Sequence, residues 1–417
     1  MSERLAIDGG SKTIEQPLPG VLSASGRTFD QQEEELVLQA LRNGCLSRNG
    51  GTMVRRLERD FADALGVKHA VACSSGTACV HLAVAALDLE LGDEIIVPPI
   101  TDIGSLLPVL WQNAVPVFAD VDPRTMLLDP ASVEAQISPR TKAVIVVHLA
   151  GLACDMDALM RICREHNLVL IEDCSQAYWA EYKGRRVGTM GDIACFSLQQ
   201  SKHITCGEGG LMATSNHDYA NRALLFADKA WPRDSGSLGS CRFLFLAQNY
   251  RMSELAGAVA LAQLKKIESV VERRRLRARQ LMEQIADVEC VSSPWSPPGT
   301  LHSYWLFMLR VSDPEIDARA FGNALVGEGV PAWAQYIVEP LYMSPIFLKP
   351  RTYGTSGYPL IPYGRQKFAR GLCPAAESTL SRTIAIQWNE NFTEEHVRKI
   401  AAAIRKVAQH FPSSVTK

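Results

Sequence analysis

Short apolar runs of β type alternate with helical stretches along much of this chain, and no other feature of the sequence constrains its fold as tightly. HAVAC begins at His69 and leads into the helical ACVHLAVAALDL. EIIVP, VPVFAD, AVIVVHLA, LVLIED and ACFSL follow, separated by helical segments, one around Met156–His166, or by loops. Runs that are apolar on both faces must be covered on both faces. Helical returns provide that cover and bring each strand back parallel to the last. The expected core is an α/β unit with a mostly parallel central sheet flanked by helices. Helical apolar spacing also marks Gln31–Asn43 and Val54–Leu65. The first 30 residues carry Gly, Pro and Ser with little periodicity, and read as an extended arm.

The texture changes after about Leu264. Gln263–Ile285 is a long, charged, amphipathic stretch, SYWLFMLRV has a strand pattern, and FTEEHVRKIAAAIRKVAQH is a terminal helix with Thr393 as its N-cap. A chain of 417 residues exceeds one ordinary core. We expect an arm over residues 1–30, a large domain over 31–264 and a smaller C-terminal α+β domain over 265–417.

Charge and cysteine usage exclude several classes. The net charge of −2 offers no basic excess for nucleic acid. Nine histidines are scattered without a pair at metal-ligand spacing, so no metal is expected. The 11 cysteines are odd in number and contain no CxxC pair. Cys73, Cys79, Cys163 and Cys195 sit inside apolar runs, as small buried hydrophobes do in a reducing compartment. MSERLAIDGG has no basic region followed by an apolar run, so no signal peptide is expected. Every apolar run is broken well short of about 18 residues, so no membrane span is expected. The expected location is the cytoplasm.

Three segments carry chemistry. In GDIACFSLQQSKHITCGEGG, a strand ends in polar residues, then Lys202, then a Gly-rich turn. A lysine at the mouth of a buried sheet loses part of its proton affinity by desolvation, and its neutral amine can attack a carbonyl. A solvated loop lysine is the competing reading. In LVLIEDCSQA an apolar strand delivers Glu172 and Asp173 at its C-terminal end, where open α/β sheets bind ligands. Asp173 there suits a pyridinium nitrogen, a helix cap or an arginine. In VACSSGTACVHL a strand runs through Ser-Ser-Gly-Thr into a helix, which makes either an anion site or a plain N-cap.

Their order is more specific than any one of them: phosphate turn, acidic strand end, lysine before glycines. With GDEIIVPP, VVHLAGLACDMDAL and NYRMSELAGAVALAQL, the chain resembles the DegT/DnrJ/StrS family of sugar aminotransferases over roughly residues 25–410. The resemblance implies a fold-type I enzyme dependent on pyridoxal 5'-phosphate. It implies that Lys202 is the Schiff-base lysine and proton shuttle, that Asp173 faces the pyridine nitrogen, and that Gln176 lies near the phenolic oxygen. Gly76, Thr77 and Ser197 would hold the phosphate, and Asn249 would reach it from the neighbouring subunit of a homodimer with shared active sites. The implied reaction is a ping-pong transfer from glutamate or glutamine to a keto sugar, nucleotide-linked or free, or to a keto cyclitol. Amino-sugar, antibiotic or polysaccharide biosynthesis would be its setting.

The family usually places Phe or Trp after the Thr that follows VPP, where its ring stacks on the cofactor. This chain has Asp102 there, as an N-cap before Ile103–Leu110 or as a substrate contact. Tyr304 and Trp305 read as core of the small domain rather than as substrate platforms. The arginines of Arg273–Arg279 read as solvated or intersubunit. The alternative chemistry is a dehydratase or aromatising lyase on the same scaffold. Some such relatives replace the lysine with histidine; here Lys202 is present and His203 follows it.

Overall fold

The computed structural model describes residues 3–233 and 242–411; Cys241 lies outside them. A seven-stranded sheet forms its centre: β1 (His69–Cys73), β2 (Glu94–Val97), β3 (Val115–Phe118), β4 (Thr141–Val147), β5 (Val169–Asp173), β6 (Ile193–Ser197) and β7 (Gly210–Thr214). The spatial order is β1-β7-β6-β5-β4-β2-β3. β2 pairs in parallel with β3 and β4, β4 with β5, and β5 with β6. β7 is antiparallel to both its neighbours, β1 and β6. The mostly parallel sheet is as the apolar alternation predicts. β7 is the strand that the pattern misses: GLMAT is buried throughout, but it opens in glycines that read as a turn.

The covering helices follow from their apolar stripes. Met53–Leu65 buries Met53, Val54, Leu57, Phe61 and Leu65, one side of a 3.6-residue repeat, and stops at Gly66 in the left-handed region (φ 86°). Glu254–Leu264 packs on it at close range: a Cβ on Gly257 would lie 2.7 Å from a Val54 methyl.

The C-terminal unit has its own core around Phe307, Phe321, Trp388 and Ile400. Its sheet of Val291–Ser292, Leu306–Val311, Thr383–Gln387 and Ala332–Trp333 is antiparallel throughout. Glu394–Ala408 closes it, with Thr393 capping the His396 N–H as the sequence predicts. Leu5 and Ile14 pack into this same core, so the start of the arm is fixed there. Glu328 secures it, accepting from the Ala6 and Thr13 N–H groups and from Lys406.

The arginine-rich stretch departs from its reading as a solvated face. After a break at Lys265–Lys266, the helix Ile267–Gln284 turns Arg274 and Arg275 inward. Arg274 is fully buried, paired with Glu390 at 2.6 Å and donating to the carbonyls of Tyr304, Trp305 and Trp388. Arg275 donates to the carbonyls of His302 and Trp179. Five donors on a rigid fork let one guanidinium close several chain ends at once, so the charge is bought inside by bonding rather than left in water. Glu390→Ala should strand that guanidinium and lower unfolding free energy by about 3 kcal/mol in urea titration. Glu395→Ala, at the exposed pair with Lys399, should leave the urea midpoint essentially where it is, because solvent screens that pair.

Candidate active site

Consecutive residues of a strand point to opposite sides, and the pair at the end of β5 separates accordingly. Glu172 turns into the interior. It accepts from the N–H groups of Gly188, Met190 and Gly191 and from His148 Nε2, and so shapes the loop before β6. Burial alone would raise its carboxyl, but the bonds from His148 and the backbone outweigh that and hold it below the usual value. Among the described residues, His148, Glu172 and Cys174 cluster at metal-ligand distances. The Glu172 oxygens are already committed to these four donors.

Asp173 turns the other way, into a cavity of about 1120 Å³. Its Oδ1 accepts from the Ser175 N–H at 3.0 Å and its Oδ2 from the Ser105 hydroxyl at 2.7 Å. Thr101 Oγ1 lies 2.9 Å from Ser105 Oγ. The Ser105 proton is directed at Asp173, so Thr101 is the donor of that second bond. Sequence reasoning missed Ser105 and Thr101; a hydroxyl beside a strand end is too common a feature to single out.

The same cavity is lined by Ser75, Gly76, Thr77, Gln176, Ser197 and Lys202. Gly76 and Thr77 open the helix Gly76–Ala85. The Ser75 side chain and carbonyl take the Ala78 and Cys79 N–H groups, and leave those of Gly76 and Thr77 without a described partner. A Cβ on Gly76 would stand 2.6 Å from that of Ser197, so glycine lets the helix end and the end of β6 meet. Gln176 Oε1 accepts from the Ala150 N–H at 2.8 Å, and its Nε2 donates to Tyr336 Oη at 3.4 Å. Ala150 itself holds a left-handed backbone (φ 56°), a strain of about 1 kcal/mol that the surrounding bonds sustain.

Lys202 follows β6 in the turn before β7. Burial of its ammonium lowers the amine from 10.5 to about 8, against the opposing pull of Asp173 and Asp102. Its Nζ lies 4.1 Å from the Trp305 ring centroid. Trp305 thus lines the cavity, contrary to its reading as core, while Tyr304 is core. The strand pattern could not separate them, because it does not reveal the left-handed turn at Tyr304 (φ 50°) that aims the next side chain back at the sheet. His203 does not line the cavity. It is buried with Nε2 on the Ser303 carbonyl, and burial holds its proton affinity well below the ordinary value.

Asp102 is an N-cap, and it also stands in the cavity wall. Oδ1 caps the turn Ile103–Ser105 by accepting from the Gly104 N–H at 2.8 Å, and the residue lines the cavity. Asn249 is not brought in. It is exposed, bridged to Asp228, and outside the cavity wall.

The sequence profile of the DegT/DnrJ/EryC1/StrS aminotransferase family matches residues 27–405. The chain is 38% identical over 299 residues to GDP-perosamine synthase of Caulobacter vibrioides, covering 71% of this chain and 78% of that one. It is 33% identical to L-glutamine:2-deoxy-scyllo-inosose aminotransferase of Streptoalloteichus tenebrarius, across 98% of this chain and 99% of that one. The crystal structure of an aminotransferase from Psychrobacter cryohalolentis superimposes with a TM-score of 0.82 at 28% identity, covering 92% of this chain and 98% of that one. The fold is fold-type I, and the chain belongs to the DegT/DnrJ/EryC1/StrS aminotransferase family.

Proposed function

We propose that this aminotransferase uses pyridoxal 5'-phosphate to move an amino group from glutamate or glutamine to a keto sugar or a keto cyclitol. The observation that carries the reading is one cavity in which the Lys202 amine, the Asp173 carboxylate and a helix N-terminus with two N–H groups unpaired among the described residues converge. Those groups fit a phosphorylated pyridine aldehyde. The helix end and Ser197 suit a phosphate, the space left by Gly76 admits it, and the lowered amine suits an aldehyde. When bound, such a cofactor supplies the aldehyde carbon that carries nitrogen and a ring that withdraws electrons from the substrate carbon.

The residues divide the remaining work. Lys202 would take a proton from the substrate carbon and deliver it on the far side of the transferred nitrogen. Asp173, fixed by Ser105 and Ser175, keeps a positive charge on the ring nitrogen. Gln176, oriented by the Ala150 N–H, offers its amide to the phenolic oxygen. Asn249 serves the phosphate of a second copy in a homodimer, which agrees with its exposed position outside its own chain's cavity. The ten described cysteines are free, as a cytoplasmic enzyme would keep them. Among the described residues no helix is long and apolar enough to cross a membrane.

The relatives' names favour the acceptor classes: one is a GDP-perosamine synthase, the other acts on a scyllo-inosose. The reconstituted protein should lose its visible colour with glutamine or glutamate and regain it with at least one member of a panel of keto sugars and keto cyclitols. No bleaching with either donor would sink the proposal. Product formed from the keto compound with no donor present would favour the lyase instead.

A further inference from the structure

The Lys202 amine lies against the face of Trp305, 4.1 Å from Nζ to ring centroid. No hydrogen bond or ion pair joins that amine to another described residue. The indole is held firmly. Its Nε1–H donates to the carbonyl of Ser201, the residue before the lysine, at 2.9 Å. Its backbone N–H donates to Ala150 at 2.8 Å, and its carbonyl accepts from buried Arg274 at 3.3 Å. Ring and lysine therefore form a single unit across the junction between the C-terminal unit and the central sheet.

We propose that Trp305 is a positioning residue for Lys202, whose ring face receives the ammonium formed when the amine takes up a substrate proton. An aromatic face attracts the ammonium and not the neutral amine, so it strengthens the lysine as a base and fixes where the charged form waits. The step balances simply. One proton and one positive charge arrive on Nζ and later leave, and the indole exchanges neither. This inference rests on the reading of Lys202 given above.

The other charged groups around the amine are accounted for. The carboxylates of Asp173 and Asp102 favour its charged form, and burial opposes it. Arg27 donates to the Lys202 carbonyl and is balanced by Glu390 at 3.8 Å. His203 is kept neutral by burial, and the Tyr336 phenol is pushed up by burial and stays protonated.

The test uses the cofactor-free protein and pyridoxal phosphate. Only the neutral amine attacks the aldehyde, so the pH at half-maximal rate of colour formation reports the Lys202 proton. In Trp305→Leu that midpoint should fall by about one pH unit, and kcat should fall about tenfold with donor KM within about twofold. Trp305→Phe keeps a ring face but loses the bond to Ser201, and should lie between Leu and the parent. It also preserves the test if the leucine variant does not fold. The sign is diagnostic, because water entering beside a smaller side chain would move the midpoint up. A midpoint that stays or rises overturns the proposal. So does a raised acceptor KM with an unmoved midpoint, which would make Trp305 a substrate wall. Borohydride fixation of the label in each variant guards the premise: a label on another lysine would overturn the reading of Lys202 and this inference with it.

Discussion

Lys202→Ala should lower turnover by at least about 10⁴-fold, because in the proposed reaction one side chain would supply both the amine that captures the aldehyde and the acid–base group that moves the proton. The environment explains why lysine can do this near neutral pH. With its amine lowered to about 8, roughly half is neutral at pH 8, against well under a hundredth for a lysine at its ordinary value of 10.5. Raising the pH through 8 should therefore speed colour formation on reconstitution, and lowering it should slow it. The alanine variant should form no visible imine at any pH while keeping its phosphate cradle, because Gly76, Thr77 and Ser197 stand on other elements. Reconstitution followed by absorbance and single-turnover kinetics separates these outcomes. A coloured alanine variant would place the nucleophile elsewhere.

Asp173→Asn should reduce kcat by about 10³-fold and leave the colour of the reconstituted protein in place. The asparagine matches the aspartate in size, and its amide oxygen can still accept from Ser105 or from Ser175. What disappears is a buried carboxylate and, in the proposed reaction, the means of keeping the ring nitrogen protonated. A loss confined to the proton-transfer step, with donor binding little changed, is the expected signature. A variant of parental speed would leave Asp173 with a structural task only. The contrast between the two substitutions is informative: one removes the covalent link, and the other retains it and removes the electron demand.

Much of the site is legible in the sequence because βα alternation fixes where strand ends go. Ser75–Thr77, Asp173, Ser197 and Lys202 each follow or end a strand of the sheet, and the parallel arrangement gathers those ends on one edge. What stays illegible depends on long-range packing. Trp305 and Tyr304 share one strand-like pattern, and only the turn at Tyr304 decides which of them meets the lysine. Arg274 looks like a surface charge until Glu390 and three carbonyls, distant in sequence, close around it. β7 hides behind glycines whose flexibility is local but whose strand is set by β1 and β6. Asn249 is a different case. Its residue type resembles the family's, yet within one chain it stands outside the cavity wall.

The arm turns the N-terminal residues into part of the working interior. Leu5 and Ile14 are anchored in the C-terminal core, Asn389 binds the Gly26 carbonyl, Arg27 grips the backbone of Lys202, and Val21 and Leu22 reach the cavity wall between them. A strand of chain fastened at both ends behaves as a tie-rod. Any rocking of the C-terminal unit against the sheet must transmit its pull to the backbone of the lysine as well as to the rim. Fusions or trims ahead of Arg27 are thus alterations to the cavity wall, however distant from it they look on a linear map.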